Sequence, residues 1–485
     1  MVKNKKKSPP LKKNDPIFVG RRDEIQFLHE ISNSADAPIL VIYGRRRVGK
    51  TALLENCFKD RNLIKIEGLE NGNIEKQISH SLLQLSIYFK DPNICKLNFN
   101  SWTEFLLLLA PYVSEGRWTL YFEEVQWLAC YQDQFVSELK YVYDNFFKNN
   151  KDLLIILCGS SPSFMLSNVI RSKALYNRSQ HELNLQEFSI KECSEFLAGD
   201  RSIEDIFDAY LSVGGIPEYL KYIRKESSSY LALCRHSFKR NSFFLSEYDK
   251  IFTSQLATNK HYKTILEFVS DRGSATRDQI LKHIKIKSGG EISKLLVELE
   301  LCGFIEKKVP LMNEKGRNYI RYAISDNYIH FFNKFIRPKK KRITDGDFNE
   351  DPTTAINYDS YRKWMGFAFE RFCRKNHHAI AKLLGFSAVE YTYGSLFSKD
   401  DGFQIDLIFD RRDRCLTICE VKYQDGKISK NIIDDFEEKV VRLKENYSKS
   451  KNKTIQKVLI TNATIDSQLL SRGYFDRIIN IKELF

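Results

Sequence analysis

The stretch Gly44-Arg45-Arg46-Arg47-Val48-Gly49-Lys50-Thr51 matches the pattern G-x-x-x-x-G-K-S/T. An apolar run, Ile39–Tyr43, leads into it, and a helix-compatible run, residues 52–56, follows it. A strand, a loop and a helix in this order are the context that a phosphate-binding loop requires. The alternative is a glycine-rich turn, but both flanking runs favour the loop. The sequence therefore predicts a nucleotide site with all eight residues as candidate contacts.

Each part of this stretch has a physical role in phosphate binding. Gly44 and Gly49 lack a Cβ, so the loop can wrap closely around a polyphosphate. Backbone N–H groups and the positive end of the following helix then face the phosphates. We expect Lys50 to reach the β- and γ-phosphates and the Thr51 hydroxyl to bind Mg²⁺. The predicted cofactors are therefore ATP and Mg²⁺.

Composition narrows the class of protein. The 485 residues suggest about three domains, and 42% hydrophobic residues indicate a globular chain. The 76 Lys and Arg against 62 Asp and Glu give a net charge of +14, which favours a polyanionic partner but is weak support for nucleic acid alone. The ten cysteines form no C-x-x-C pair. With no apolar run long enough for a bilayer and no apolar signal region, we expect a cytoplasmic protein without a membrane partner.

A second predicted strand, starting at Trp118, ends in two carboxylates, Glu123 and Glu124. In phosphate-binding-loop enzymes an acid at a strand end holds the Mg²⁺ shell, and a second acid polarises the attacking water. We assign Glu123 to the metal and Glu124 to the water. The alternative is an acidic surface pair, which the preceding apolar run disfavours.

Two further candidates follow the next apolar run, residues 153–157. Ser160 lies at the end of that strand, where a polar side chain can sense the γ-phosphate. Arg178 is a candidate arginine finger acting in trans, which would imply a homo-oligomer. A surface arginine is an equal alternative for Arg178.

Six segments together resemble a known family. They are FVGRRDEIQFL (18–28), GRRRVGKTALL (44–54), LYFEEVQWL (120–128), LCGSSPSFM (157–165), ALYNRS (174–179) and VGGIPEYL (213–220). They look like the AAA+/STAND-related ATPases found in archaea and some bacteria, which carry a C-terminal domain of unknown function. The resemblance implies an ATP-hydrolysing α/β domain with a parallel sheet and a helical lid. Glu123 departs from the usual Asp, which puts the hydrolysis rate in doubt more than binding.

The chain divides into four predicted regions. Residues 1–15 hold six lysines and form a disordered arm, and residues 16–250 form the ATPase domain with its lid. Residues 255–345 predict three helices and a β-hairpin, which is a winged helix, followed by the basic linker 337–342. The winged helix predicts DNA as a partner, although many such domains contact only protein. The linker's alternative is a solvated hinge.

The last region, residues 346–485, carries a second set of charged residues. Asp406 lies on one predicted strand, and Glu420 and Lys422 share a face of the next because strand side chains repeat every two residues. Two carboxylates can hold Mg²⁺, and the lysine can orient a water. With Glu370 on a preceding helix, this resembles the PD-(D/E)xK nuclease-like α/β fold of restriction endonucleases. The alternative is a structural hairpin with salt-bridged charges.

Two functions follow from these patterns. The first is an ATPase whose winged helix and nuclease-like domain act on DNA. The second is a signalling switch, in which ATP and ADP states rearrange the chain to recruit a partner and the C-terminal domain is an inert scaffold. The complete set of Asp406, Glu420 and Lys422 favours the first.

Overall fold

The structure is a computed structural model. It describes residues 18–34, 36–175, 179–197, 199, 201–255, 259, 261–285, 289–308, 311, 320–398, 403–447, 450 and 452–485. The predicted arm at residues 1–15 and the candidate Arg178 lie outside these residues.

A parallel sheet forms the first half of the chain. Its strand order is β2-β3-β4-β1-β5, and every neighbouring pair is parallel. The predicted α/β class with a parallel sheet is therefore confirmed. The strands are β1 (Ile39–Tyr43), β2 (Asn62–Glu67), β3 (Trp118–Glu123), β4 (Leu154–Gly159) and β5 (Ser179–Asn184).

Helices cover both faces of this sheet, which is why β1 and β4 are apolar along their whole length. In β1, Ile39 and Val41 face one core layer, while Leu40 and Ile42 face the other. The helices are α1 (Arg22–Ser32), α2 (Lys50–Cys57), α3 (Ile74–Phe89), α4 (Trp102–Leu109), α5 (Val125–Leu128), α6 (Gln134–Asn145) and α7 (Pro162–Phe164).

A group of helices follows the sheet in the region predicted as a lid, and we call this group the lid. Its helices are α8 (Ile190–Leu197), α9 (Ile203–Val213), α10 (Pro217–Arg224), α11 (Ser229–Ser237) and α12 (Phe243–Gln255). The turn between α9 and α10 requires Gly214 and Gly215. Gly214 has φ 73°, and a Cβ at Gly215 would lie 2.0 Å from the carbonyl oxygen of Phe188. Proline at the first position of α10 then restarts the helix.

Three helices and a small antiparallel sheet form the third segment, residues 261–324. The helices are α13 (His261–Arg272), α14 (Arg277–Ile284) and α15 (Gly289–Leu301). The strands β6 (Ala275–Thr276), β7 (Ile305–Lys308) and β8 (Arg321–Ile324) pair in the order β6-β8-β7. Thr276 caps α14 in a capping box with Gln279, as expected from its hydroxyl. One side of α15 contacts α7 of the first half.

The basic run 337–342 is not the linker that the sequence suggested. It lies in helical structure that continues from α16 (Asn327–Phe331), through a 3₁₀ turn at Arg337–Lys339 and into α17 (Lys340–Asp345). Arg337 pairs with Asp271, and Lys340 pairs with Asp249. Ile343 is fully buried at helical spacing, and this apolar anchor among the lysines fixes the segment to the protein.

A mixed five-stranded sheet in the order β15-β13-β11-β10-β9 forms the last segment. Strands β9, β10 and β11 are antiparallel, whereas β11, β13 and β15 are parallel. The elements are α18 (Tyr358–Lys375), α19 (His377–Leu383), β9 (Tyr391–Ser398), β10 (Phe403–Arg411), β11 (Cys415–Lys422), β12 (Lys427–Ile428), α20 (Ile432–Asn446), β13 (Thr454–Thr461), β14 (Thr464–Ile465), α21 (Ser467–Ser471) and β15 (Arg477–Asn480).

Helix α18 joins this last segment to the lid. The ring of Phe372 lies 5.1 Å from that of Phe207 on α9. The hydroxyls of Tyr361 and Ser212 are 3.1 Å apart, and both groups are buried. The helix therefore shares a core with the lid. Of the described helices, none is long and apolar enough to cross a bilayer.

Candidate nucleotide site and C-terminal charge cluster

A cavity of about 490 Å³ opens beside the loop 44–51, and we call it the loop cavity. It lies at the carboxyl ends of β1 and β3, where open parallel sheets bind ligands. Its walls come from the loop, the two acids at the end of β3, the start of α10 and the segment before α1. The lining residues central to the site are Gly49, Lys50, Thr51, Glu123, Glu124 and Pro217.

The backbone of the loop needs its two glycines. Gly49 has φ 95° and stands at the N-terminus of α2. A Cβ at Gly44 would lie 2.3 Å from the carbonyl oxygen of Leu185. Lys50 is 9% exposed and donates hydrogen bonds to the carbonyl oxygens of Gly44 at 2.9 Å and Arg45 at 3.2 Å. Its ammonium is therefore held across the loop.

Two of the three loop arginines turn toward later parts of the chain. Arg45 forms an ion pair with Asp326. Arg47 pairs with Glu247 of α12 at 2.9 Å. Arg46, Arg47 and Val48 line the loop cavity.

Glu123 and Thr51 meet at one side of the cavity. The Thr51 hydroxyl donates to the Glu123 carboxylate, and the Lys65 ammonium pairs with the same carboxylate. Burial raises the pKa of Glu123, but the hydrogen bonds from Lys65 and Thr51 outweigh it, so the pKa lies below its ordinary value. An ionised carboxylate beside a hydroxyl supplies the hard oxygen ligands that Mg²⁺ prefers. These residues fit the predicted cation.

Glu124 and Ser160, predicted for separate roles, are in direct contact. One carboxylate oxygen of Glu124 accepts hydrogen bonds from the backbone N–H of Ser160 at 3.1 Å and from its hydroxyl at 2.7 Å. The side-chain amide of Gln126 donates to the same oxygen at 2.6 Å. Glu124 has φ 54°, a left-handed conformation that turns the chain from β3 into α5. Three donors therefore fix the orientation of this carboxylate.

The charged residues of the last segment also come together. Asp406 on β10 accepts a hydrogen bond from the backbone N–H of Val421 on β11 at 3.1 Å. The side-chain amide of Gln404 donates to Asp406 at 3.1 Å and to Glu370 of α18 at 3.4 Å. Burial and then the charge of Asp406 raise the pKa of Glu370 to about 7. The helix acid and the strand acid are thus bridged by one amide.

Two lysines bind the second strand acid, Glu420. Lys422 lies 2.8 Å from one carboxylate oxygen, and Lys439 of α20 donates to both oxygens at 2.8 and 2.7 Å. We call Glu370, Asp406, Glu420, Lys422 and Lys439 the C-terminal cluster. Within the described residues, no group of three or more His, Cys, Asp or Glu side chains is arranged to hold a metal ion. The predicted pair of carboxylate ligands remains a prediction.

Sequence reasoning missed several members of both sites. Lys65 reaches Glu123 because β2 is the neighbour of β3, with Lys65 opposite Tyr121. Gln126 lies two residues beyond the acid that it orients, so its proximity was readable from the sequence. Lys439 gave no signal, since it is one of many charged residues on an amphipathic helix.

The sequence is similar to a family of ATPase domains and to two proteins of Methanocaldococcus jannaschii. Residues 18–223 match the model of an ATPase domain predominantly from Archaea. An uncharacterized protein of Methanocaldococcus jannaschii is 28% identical over 417 residues, covering 85% of this chain and 88% of that protein. A shorter uncharacterized ATP-binding protein of the same organism is 38% identical over 47 residues, covering 10% of this chain and 80% of its own.

Among solved structures, the chain resembles a Walker-type ATPase of Pyrococcus abyssi. The TM-score is 0.47 at 19% identity, and the match covers 65% of this chain and 96% of the other.

Proposed function

We propose that this chain binds ATP with Mg²⁺ in the loop cavity and hydrolyses it, because residues 18–223 match the model of an ATPase domain predominantly from Archaea. One observation carries the proposal. The cavity brings the loop lysine, the Thr51–Glu123 pair and the oriented Glu124 carboxylate to one place.

Binding rests on the loop and on the helix that it starts. Backbone N–H groups at the N-terminus of α2 favour phosphate oxygens. Lys50, held across the loop, adds a positive charge for the β- and γ-phosphates. Thr51 and Glu123 would hold Mg²⁺, which supplies charge neutralisation on the phosphates when bound. Lys65 stays beside Glu123 and keeps that carboxylate ionised.

Hydrolysis rests on Glu124. A carboxylate at this position can accept a proton from an attacking water. The hydrogen bonds from Ser160 and Gln126 set its direction before any substrate enters. We assign Ser160 to positioning Glu124, with its γ-phosphate-sensing role acting through that contact.

We further propose that residues 255–345 include a winged helix and that the chain acts on DNA. Helices α13 to α15 followed by β7 and β8 support the first part, and the basic run 337–342 supports the second. Its lysines and arginines provide charges that a phosphate backbone would bind.

The C-terminal cluster supports a PD-(D/E)xK nuclease-like site. Asp406 and Glu420 lie on paired antiparallel strands, with Lys422 on the same face as Glu420. In this proposal the two carboxylates hold Mg²⁺, Lys422 orients the attacking water and Glu370 supports Asp406 through Gln404. Divalent metal would supply charge stabilisation on the phosphodiester.

A signalling switch is the second candidate, and the Arg45–Asp326 ion pair favours it. Arg45 belongs to the phosphate-binding loop, whereas Asp326 directly follows the third segment. A change in the loop on nucleotide exchange would act on that segment. In this reading the chain recruits a partner and the C-terminal cluster is structural.

The deciding experiment compares Glu124→Gln with the unaltered protein. The amide keeps the shape of the side chain and removes the charge, so ATP should still bind while turnover falls by ~10²-fold or more. Glu75→Gln, at an exposed glutamate of α3, is the matched control. Turnover at the unaltered rate in Glu124→Gln would transfer the catalytic role to Glu123. The unaltered protein and Asp406→Ala are then incubated with DNA and Mn²⁺, and DNA cleavage is measured. Cleavage that is lost in Asp406→Ala supports the nuclease, and no cleavage by the unaltered protein supports the switch.

A further inference from the structure

We propose that Lys439 is a built-in counter-ion of the C-terminal cluster, which holds Glu420 until a divalent cation replaces it. The inference rests on the proposed metal site and adds a residue that regulates it. Lys439 belongs to α20, outside the two strands that carry the predicted ligands.

The contacts of Lys439 occupy the positions that a cation would need. Its ammonium lies 2.8 and 2.7 Å from the two carboxylate oxygens of Glu420. Lys422 adds a third contact, at 2.8 Å from one of those oxygens. The Glu420 side chain is 2% exposed, so a metal ion could not approach it from open solvent without displacing a neighbour.

The net charge of the C-terminal cluster also favours an exchange of Lys439 for a metal ion. Asp406 and Glu420 supply two acidic groups and Lys422 and Lys439 two basic ones, while the carboxylate of Glu370 has its own partner in Arg374 at 3.7 Å. The pair of acids is therefore balanced without metal, and a divalent cation added to the complete set would leave an excess of positive charge in a buried place.

Lys439 is better suited to leave than Lys422. Lys422 stands on β11 two residues from Glu420, so the strand itself keeps the two side chains on one face. Lys439 reaches the site only through its flexible side chain. Asp435 lies four residues earlier on the same helix, and an acid four positions before a lysine is a favourable partner on a helix surface. The ammonium can move to that carboxylate when metal enters.

The test titrates Mn²⁺ into the full-length protein without nucleotide and measures the dissociation constant by calorimetry. Lys439→Met keeps an unbranched side chain that is shorter by the ammonium group alone, and it removes the competing charge, so Mn²⁺ affinity should rise by ~10-fold or more. Lys444→Met, on the same helix, should leave the affinity unchanged. Adding Glu420→Gln to Lys439→Met should remove the gain, because the freed ligand is then absent.

Two results would overturn the proposal, and they differ in scope. In the first, Lys439→Met and the unaltered protein bind Mn²⁺ with equal affinity, and Asp406→Ala does not bind it. This result would show that Lys439 does not compete with the metal, and it would leave the metal site itself supported. No Mn²⁺ binding above that of Asp406→Ala in any variant would overturn the metal site and Lys439 together. Lys439→Gln carries the same expectation if the methionine variant does not fold.

Discussion

Arg45, in the phosphate-binding loop, forms a largely buried ion pair with Asp326, which lies 281 positions later in the chain. Asp326 also caps α16 by accepting a hydrogen bond from the backbone N–H of Ile329 at 2.6 Å. The Arg45 guanidinium stands 5.0 Å above the ring of Phe304. The loop that would hold the phosphates is thus tied directly to the segment that follows β8.

Breaking this pair should destabilise the protein strongly. Arg45→Met leaves the Asp326 carboxylate buried without its partner, which typically costs ~3–5 kcal/mol of unfolding free energy. The double variant Arg45→Met, Asp326→Asn should recover part of that loss. Denaturant unfolding measures both. Arg22→Met is the control, since its pair with Glu195 is exposed and should contribute ~0–1 kcal/mol. An equal loss of unfolding free energy in the two arginine variants would show that the Arg45–Asp326 pair stabilises the protein no more than an exposed pair does.

Removing the loop lysine should weaken nucleotide binding. Lys50→Ala loses a charge-assisted phosphate contact that contributes roughly 1.5–3 kcal/mol, or roughly 10- to 150-fold in affinity. Calorimetric titration with ATP and Mg²⁺ measures the change. Lys59→Ala, at an exposed lysine shortly after α2, should bind as the unaltered protein does. Unchanged affinity in Lys50→Ala would contradict the assignment of the loop.

The interface between the lid and α18 should make stability depend on pH. Burial raises the pKa of Asp208 to about 6, although Arg362 and the Tyr423 hydroxyl act against it. A carboxyl group whose pKa is raised in the folded state binds its proton more tightly there than in the unfolded state. Its contribution to the free energy of unfolding is therefore complete at low pH. It is lost as the pH rises from about 4 through about 6, by an amount on the order of 2–3 kcal/mol.

Thermal unfolding at pH 4 and pH 7 tests this dependence. Asp208→Asn cannot titrate, so its melting temperature should fall less than that of the unaltered protein over this interval. Asp359→Asn, at an exposed acid on α18, should behave as the unaltered protein. A pH dependence that survives in Asp208→Asn would assign the proton to another group.

Binding of duplex DNA, if the basic run provides it, should depend steeply on salt. Each phosphate contact adds about 0.9 to the negative slope of log affinity against log salt. Replacing Lys339, Lys340, Lys341 and Arg342 by Ala should therefore flatten that slope by up to about 3.6. The charge-matched control replaces Lys90, Lys96, Lys148 and Lys151. Equal slopes in both variants would assign the binding to general surface charge, and no binding at low salt would favour a protein partner.

The sequence predicted the parts of the fold that one local pattern determines. Strands β1 and β4 are apolar runs, and β3 is apolar except for the buried Thr119 and its terminal Glu123, because both faces of the sheet are covered. The phosphate-binding loop is also local, since its glycines and lysine lie within eight residues. Likewise, Glu420 and Lys422 share a face through strand alternation alone.

Other features depend on which elements become neighbours. Lys65 and Glu123 are paired through the order of strands in a sheet, and a single sequence does not give that order. The run 337–342 looked like a linker because its basic residues dominate the local pattern, although the buried Ile336 and Ile343 on either side of it anchor the segment. Ser160 was predicted at the correct strand end, but its contact with Glu124 needed the geometry of β3 beside β4.

Helix α18 has a consequence for how this protein can be divided. Phe369 and Phe372 belong to the last segment by sequence, yet both rings contact Phe207 of the lid. Cutting the chain near residue 346 would expose apolar rings on both fragments, and each fragment would tend to aggregate. We therefore expect the lid and the last segment to melt as one cooperative unit. The boundary between them in the sequence therefore does not separate two independently folding domains.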